Sequence, residues 1–408
     1  MLIDLPFGEQ TQKLDVPDSN LLDVPRPGRV HGLHVCDTDI APLREDLEHF
    51  LEPARSVLVV VNDYTRPTPN EAVLRLIMPE VQDKHFWFLI ACGSHTPPDK
   101  AQLRQVLGKY YDYYPDRVLV HDARNPGKLK FLGKTGFGTE VWVNDQVLNT
   151  DRLITINSVE PHYFAGYTGG RKSILPGISG IETITHNHRL SLVPEARTLR
   201  LTGNPVHEDM EAAARMVPRA IFSIQVVIDN NHEICSLRFG DIFESFEESI
   251  PDADRVFCVP TRGRADIVVT ASSRPNDVNF YQQQKSLENG RLALKDGGIL
   301  IGVSACRSGI GDDTFIKLLS SCRTPAEAID KIRKDFVLGY HKSAKLAEMM
   351  LTSEIWTVVP VADEVVKSIF MKPFADVNTA LQEALKLKGP DAKVTVLPDG
   401  SLTVPLCG

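Results

Sequence analysis

The sequence predicts an α/β protein, with two α/β domains, mostly parallel sheets and an active site in the interdomain cleft. Three observations point there. Ser56-Val-Leu-Val-Val-Val-Asn62 and His85-Phe-Trp-Phe-Leu-Ile-Ala91 are nearly continuous apolar runs, as expected of parallel strands buried on both faces. Each run ends in a polar loop followed by a stretch of helical spacing, the step that builds parallel sheets. The chain has 408 residues, more than one core usually organises. In such sheets ligands bind outside the C-terminal ends of the strands.

Residues 1–35 read as short strands and turns rich in Asp and Pro. Leu43, Leu47 and Phe50 give helical spacing over 42–51. The strand at 56–62 ends in Asp63-Tyr-Thr-Arg-Pro67, and a helix follows over 70–77. The strand at 85–91 ends in Gly93-Ser-His-Thr-Pro-Pro98, and Pro98 is expected to lead a helix through Leu107. Residues 117–121 read as a third strand, 140–144 as an alternating strand, and 153–157 as another buried one. Residues 201–216 give a loop and helix. A strand at 221–229 is expected to turn at Asn230-Asn231 and return from His232 to Arg238. Pro, Gly and Arg crowd residues 260–264, which sets the domains at 1–263 and 264–408. In the second, strands at 265–270, 297–302 and near 355–361 flank a helix at 286–294 and the glycine-rich loop 304–311.

Composition narrows the function. Hydrophobic content of 42% and charged content of 24% are those of a water-soluble globular chain. A net charge of −8 argues against a nucleic-acid surface, though not against an anionic small molecule. No run has the length of a membrane span, and the N-terminus has no signal-peptide pattern. The seven cysteines are scattered, without C-x-x-C, which suits a reducing cytoplasm and gives no zinc-ribbon signal.

The densest chemistry lies between Asn157 and His188, N-S-V-E-P-H-Y-F-A-G-Y-T-G-G-R-K-S-I-L-P-G-I-S-G-I-E-T-I-T-H-N-H. Clustered glycines imply tight turns or close approach of backbone to a ligand. Gly170-Arg-Lys-Ser173 is not a P-loop, because Arg171 separates the glycine from the lysine. No G-x-G-x-x-G follows an early strand, so an ordinary NAD site is not indicated.

His162-x3-Gly166-x2-Gly169-Gly170-Arg171-Lys172-Ser173-Ile-Leu-Pro-Gly177, followed by Asn187-His188, resembles the signature of the nickel-dependent lactate racemase family of 2-hydroxyacid racemases and epimerases. Asp63-Tyr-Thr-Arg66, Gly93-Ser-His95, Asn204-Pro-Val-His207 and Tyr281-Gln282-x2-Lys285 extend the resemblance over nearly the whole chain. It implies racemisation of a 2-hydroxyacid by hydride transfer through a 2-keto acid. The implied hydride acceptor is a nickel pincer nucleotide, the pyridinium-3,5-bisthiocarboxylic acid mononucleotide of nickel. Lys172 matches the lysine to which that cofactor can be joined. His188 matches the protein ligand that completes a planar Ni(II) site.

His95 and His162 match the family's acid–base pair, and imidazole titrates where such work is done. Asp63, Tyr64, Thr65 and Arg66 match the cofactor-binding segment. Arg66 is also suited to holding a substrate carboxylate. Gln282 and Lys285 match substrate-binding residues of a second domain that closes over the site. Arg171 either serves the cofactor phosphate or packs structurally. His121 and His207 are expected in supporting roles, and His186 points away from His188 if the segment is extended. Trp356 matches only in type the aromatic residue that lactate-using members place near the substrate methyl. The polarity of Arg274, His341 and Lys342 suits a larger or more charged substrate than lactate. The resemblance implies cofactor-biosynthesis enzymes as partners and leaves oligomeric state open. Two other readings compete: a zinc hydrolase built on His162, His186 and His188, and a non-catalytic sensor on the same fold.

Overall fold

The β-branched runs become the interior of two six-stranded sheets. The computed structural model describes residues 1–27, 37–229 and 233–407. Its chain divides into two units, Arg29–Val256 and Met1–Gly28 with Phe257–Gly408.

In the unit Arg29–Val256 the sheet runs Ile234–Asp241, Ala220–Ile228, Arg152–Ser158, Ser56–Asn62, His85–Ala91, Val118–Val120. Every neighbouring pair is parallel except the edge pair Ala220–Ile228 with Ile234–Asp241. Val57 through Val61 are fully buried, as strands covered on both faces must be. Each such side chain contributes roughly 1.5–3 kcal/mol on leaving water. One face is covered by Leu43, Leu47 and Leu51 of the helix Asp37–Leu51, and by Val73, Leu74 and Ile77 of the helix Asn70–Val81. Leu129–Lys134 and Glu140–Asn144 form a separate antiparallel hairpin.

The second unit is built on an all-parallel sheet ordered Lys372–Pro373, Glu354–Val358, Leu294–Val303, Ala265–Ala271, Val394–Leu397, Leu21–Asp23. Its edge strand comes from the N-terminal part of the chain. The antiparallel hairpin Leu2–Phe7 with Gln10–Asp15 also belongs here, and Ile3, Leu5 and Leu14 enter the core around Trp356. A single cut at 263/264 therefore does not describe the chain: its first residues pack with its last, and the change of unit falls at Val256–Phe257.

Several boundaries depart from the sequence reading for local reasons. The first helix begins at Asp37, with Pro42 inside it. The next continues past 77 to Val81, with Pro79 inside. Pro98 stands outside the helix Lys100–Leu107. Asp99 caps it instead, accepting from the Gln102 amide at 2.8 Å while the Gln102 side chain accepts from the Asp99 amide at 2.9 Å. The helix expected at 286–294 spans Phe280–Leu292, because the Asn279 side chain caps its first turn at Gln282. The turn expected at Asn230-Asn231, and His232 with it, lie outside the described residues; the return strand begins at Ile234. The stretch after Asn157 is not loop throughout: it closes in the helix Ile181–Arg189.

Candidate active site

Three adjacent parallel strands set the site. Ser56–Asn62 lies between His85–Ala91 and Arg152–Ser158, with Asn62 level with Ala91 and Val61 with Ile156. Their following loops therefore leave one end of the sheet side by side. Gly93 donates its amide to the Gly177 carbonyl at 2.9 Å, joining two of them. Thr68 and Ser158 join hydroxyls at 2.9 Å across the third seam.

Asp63 is 1% exposed, and one carboxylate oxygen accepts from His95 Nδ1 at 2.7 Å. The other accepts the Thr65 hydroxyl at 2.7 Å. Burial alone would raise the Asp63 carboxyl, but the hydrogen bond and charge of His95, helped by Thr65 and Arg66, hold it below the ordinary carboxylate value. An ionised Asp63 fixes the proton on Nδ1 of neutral His95, leaving Nε2 as the acceptor. Tyr64 packs against the apolar core of its unit, and Arg66 is exposed.

The glycine-rich stretch forms a short hairpin, Pro161–His162 with Gly166–Tyr167, and a single helical turn at Gly170–Ser173. Arg171 holds this shape. Its side chain is fully buried and donates to the carbonyls of Ala165 at 2.8 Å, Tyr167 at 2.9 Å, Gly169 at 3.1 Å and Thr168 at 3.4 Å. Its guanidinium also lies 4.3 Å from the Phe246 ring centre. Of the two roles open to Arg171, packing is the one its geometry supports. Gly169 and Gly170 have φ of +91° and +49°, and a Cβ on Gly170 would strike Phe246. Ser173 donates to Asn157, and Gln225 accepts the Gly170 amide at 3.1 Å, so buried polar residues of the sheet support the loop.

Phe164 brings three of the expected site residues around one ring. It is 2% exposed. The His162 ring lies 4.6 Å from it, the His188 ring 5.3 Å, and Lys172 Nζ 5.9 Å. Burial, then the charges of Arg66 and Arg171, hold the half-buried Lys172 amine well below its ordinary pKa, with Glu160 opposing. Burial also pushes His188 down to about 3, with the charges of Lys172 and His95 adding to it and a hydrogen bond to the Ile184 backbone opposing. Arg66 thus acts on Lys172, and Lys172 and His95 act on His188, which burial keeps a neutral imidazole.

His186 sits on the same helix as His188, two residues away, and turns elsewhere. Its Nδ1 meets the Thr139 hydroxyl at 2.7 Å, and Thr139 in turn donates to the buried Asp209 at 2.7 Å. Asn187 donates to the same carboxylate at 2.9 Å. An extended segment would put residues two apart on one face; the two histidines part because the segment is a helix. Among the described residues no three His, Cys, Asp or Glu side chains are grouped to hold a metal ion, so the zinc set of His162, His186 and His188 is not assembled. His121 is fully buried between the Ser179 carbonyl at 2.9 Å and the Asn144 amide at 3.2 Å. His207 is buried in the helix Pro205–Arg215, whose cap Asn204 also donates to the Phe164 carbonyl at 2.9 Å. The roles of Asp63, Asn204 and Asp209 were hidden in the sequence, because each acts through a partner far along the chain; that of Phe164 was hidden because only the fold gathers His162, Lys172 and His188 around its ring.

In the second unit, Gln282 and Lys285 are half-buried on the first turns of the helix Phe280–Leu292. Burial raises the Asp399 carboxyl, while a hydrogen bond from Ser273 and the charge of Lys285 oppose it. Trp356 is 1% exposed and stacks on Phe374 at 4.9 Å. It is a core residue, not a substrate contact. Arg274 pairs with Glu9 at 2.9 Å, and Lys342 covers the Tyr281 ring at 3.6 Å.

Comparison with known proteins agrees with this architecture. The lactate racemase N-terminal domain matches residues 7–199, and the lactate racemase C-terminal domain matches residues 261–404. The lactate racemase of Thermoanaerobacterium thermosaccharolyticum is 29% identical over 98% of this chain and 97% of its own length. That of Lactiplantibacillus plantarum is 27% identical over 98% of each. The solved apoprotein of the Thermoanaerobacterium enzyme superposes with a TM-score of 0.91 at 28% identity, covering 100% of both chains. A Thermotoga maritima protein shares the fold alone, with a TM-score of 0.68 at 17% identity over 91% of this chain and 98% of its own. Fold and sequence motifs agree along the full length, and the chain belongs to the lactate racemase family of isomerases.

Proposed function

We propose that the chain is a nickel-dependent racemase or epimerase of a 2-hydroxyacid. The observation that carries this reading is that Lys172 and His188 lie beside the same phenyl ring, where burial favours the neutral form of each. A neutral imidazole is what a metal requires of a histidine ligand, and a depressed amine is the form of lysine that bonds to an acyl carbon. These residues fit the nickel pincer nucleotide, with Lys172 and His188 holding it. When bound, that cofactor supplies a hydride acceptor, which no side chain offers.

The chain's own residues do the rest. His95, oriented by Asp63, takes the substrate hydroxyl proton at Nε2. His162, like His188, lies against the Phe164 ring, and it meets the substrate oxygen. Arg66 holds the substrate carboxylate. Asp63 acts through His95, which refines its placement among the cofactor contacts. The substrate is a 2-hydroxyacid, with lactate one of the acids to be tried.

The test is metal content of protein produced together with cofactor-building enzymes, followed by chiral analysis of 2-hydroxyacids. Near-stoichiometric nickel, lost in Lys172→Ala and in His188→Ala, with interconversion of enantiomers, is expected. No nickel in wild type under those conditions overturns the reading.

A further inference from the structure

We propose that Asp209 is a positioning residue for His188: it clamps the last turn of the helix Ile181–Arg189 and so sets the direction of that imidazole. The clamp rests on geometry alone. Its consequence for nickel rests on the racemase reading.

The helix needs lateral support. It has nine residues, and helices shorter than about 12–15 residues are marginal without tertiary contacts. Gly180 at its N-terminus provides no side-chain cap. The last turn, which carries His188, is where helices fray, because its carbonyls lack intrahelical partners. Successive residues on a helix differ by roughly 100° in direction. A grip on Asn187 therefore fixes the roll of the helix, and with it the direction in which His188 leaves.

Asp209 supplies that grip. It is fully buried on the helix Pro205–Arg215. One of its oxygens accepts the Thr135 hydroxyl at 2.5 Å. The other accepts the Thr139 hydroxyl at 2.7 Å and the Asn187 side-chain amide at 2.9 Å. Asn187 spends its second amide proton on the same helix, donating to the Val206 carbonyl at 3.1 Å. Thr139 also meets His186 Nδ1 at 2.7 Å. The two residues that precede His188 are thus tied to one carboxylate, Asn187 directly and His186 through Thr139. Thr135 and Thr139 close the turn of the hairpin Leu129–Lys134 with Glu140–Asn144, the Thr135 amide donating to the Thr139 carbonyl at 2.9 Å. The same hairpin holds the start of the helix, since Thr183 accepts the Trp142 amide at 3.0 Å and donates to the Glu140 carbonyl at 2.7 Å. One carboxylate therefore joins a hairpin and two helices. Asn187, Thr139 and Asp209 are all fully buried, where such bonds are strongest. Asp209 acts on His188 through Asn187 and the helix backbone.

The experiment follows amide hydrogen exchange of full-length apoprotein by peptide mass spectrometry. In Asp209→Ala, peptides covering residues 181–192 are expected to exchange about tenfold faster or more, with the strands 56–62 and 152–158 unchanged. Asp209→Asn is the conservative rescue. Its oxygen can accept from Asn187 and Thr139, and its amide can donate to Thr135, whose hydroxyl is free to turn. Exchange at 181–192 should then stay within about threefold of wild type. Unchanged exchange at 181–192 in Asp209→Ala, or equal acceleration along the whole chain, overturns the clamp. Should Asp209→Ala fail to fold, Asn187→Ala breaks the same bond from the other side, and the same results decide. A second measurement is nickel release on dialysis of cofactor-loaded protein. It is expected to be about tenfold faster in Asp209→Ala and close to wild type in Asp209→Asn. Release at the wild-type rate despite faster local exchange overturns the positioning role. A wild-type protein that takes up no nickel sinks the racemase reading instead, and local exchange then decides the clamp.

Discussion

The Asp63 carboxylate, 1% exposed, accepts the Nδ1 proton of His95 at 2.7 Å. The two residues lie 32 positions apart and leave the ends of adjacent parallel strands. A buried carboxylate behind an imidazole orients it and stabilises the imidazolium formed when it accepts a proton. Asp63→Asn is expected to lower kcat of the cofactor-loaded enzyme by about 10²–10⁴-fold, with a smaller change in KM. Chiral analysis of initial rates checks this. A kcat within twofold of wild type would remove Asp63 from any role in proton transfer.

Lys172 should be the most reactive lysine of the apoprotein near neutral pH. Burial first, then Arg66 and Arg171, depress its amine, so its neutral fraction exceeds that of an exposed lysine at the same pH. Brief treatment with an amine-acylating reagent at pH 7–8, followed by peptide mass spectrometry, is expected to mark Lys172 ahead of the surface lysines. Its labelling should fall in Arg66→Met, where one of the depressing charges is removed. Equal labelling across the chain would show an ordinary amine.

Arg171 was the residue whose role the sequence left undecided, and it shows where sequence reading stops. The strands at 56–62, 85–91 and 152–158 were legible because burial on both faces leaves its mark in each residue of the run. The loops that follow them were legible because a parallel sheet puts them at one end. The inward turn of Arg171 left no such mark, since four carbonyls of its own loop are its partners and carbonyls have no sequence. The helix under His188 was masked by Thr, Asn and His, residues of modest helix propensity. The membership of residues 1–27 in the second unit depends on pairing between Leu21–Asp23 and Val394–Leu397, a contact spanning nearly the whole chain.

The same geometry makes Arg171 a stability residue. Arg171→Lys keeps the charge but cannot reach the carbonyls its planar fork serves. A loss of about 2–5 kcal/mol in unfolding free energy is expected for Arg171→Lys or Arg171→Met. Urea denaturation of the apoprotein measures it. An unchanged midpoint would mean that the loop is held by other contacts.

Acid should weaken the fold through His207. Burial, with the charge of Arg171, pushes this residue from 6.5 down to about 3. Above about pH 6.5 both folded and unfolded chains carry it neutral, and it contributes no pH dependence. Between about 6.5 and 3 the unfolded chain binds a proton that the folded chain refuses, so stability falls as pH falls. The loss is on the order of a few kcal/mol across that window. Urea midpoints at pH 7.5 and 4.5 should differ less in His207→Gln than in wild type. Identical pH dependence in the two proteins would assign the acid limb to other groups, His188 among them.

Phe164 offers the sharpest separation of stability from site geometry. Its ring is 2% exposed and touches the His162 and His188 rings and the Lys172 amine. Phe164→Ala leaves a cavity at that junction and is expected to cost about 3–5 kcal/mol. Phe164→Leu keeps most of the volume and should cost less, but it removes the flat surface against which both imidazoles lie edge-on. If the ring only fills space, Phe164→Leu will retain nickel as wild type does. If it sets the angle of His188 and the approach of Lys172, nickel retained after dialysis will fall in Phe164→Leu while its urea midpoint stays close to that of wild type. The second outcome is expected, because two imidazoles and an amine share one ring as their common wall, and a leucine side chain cannot present the same face to all three.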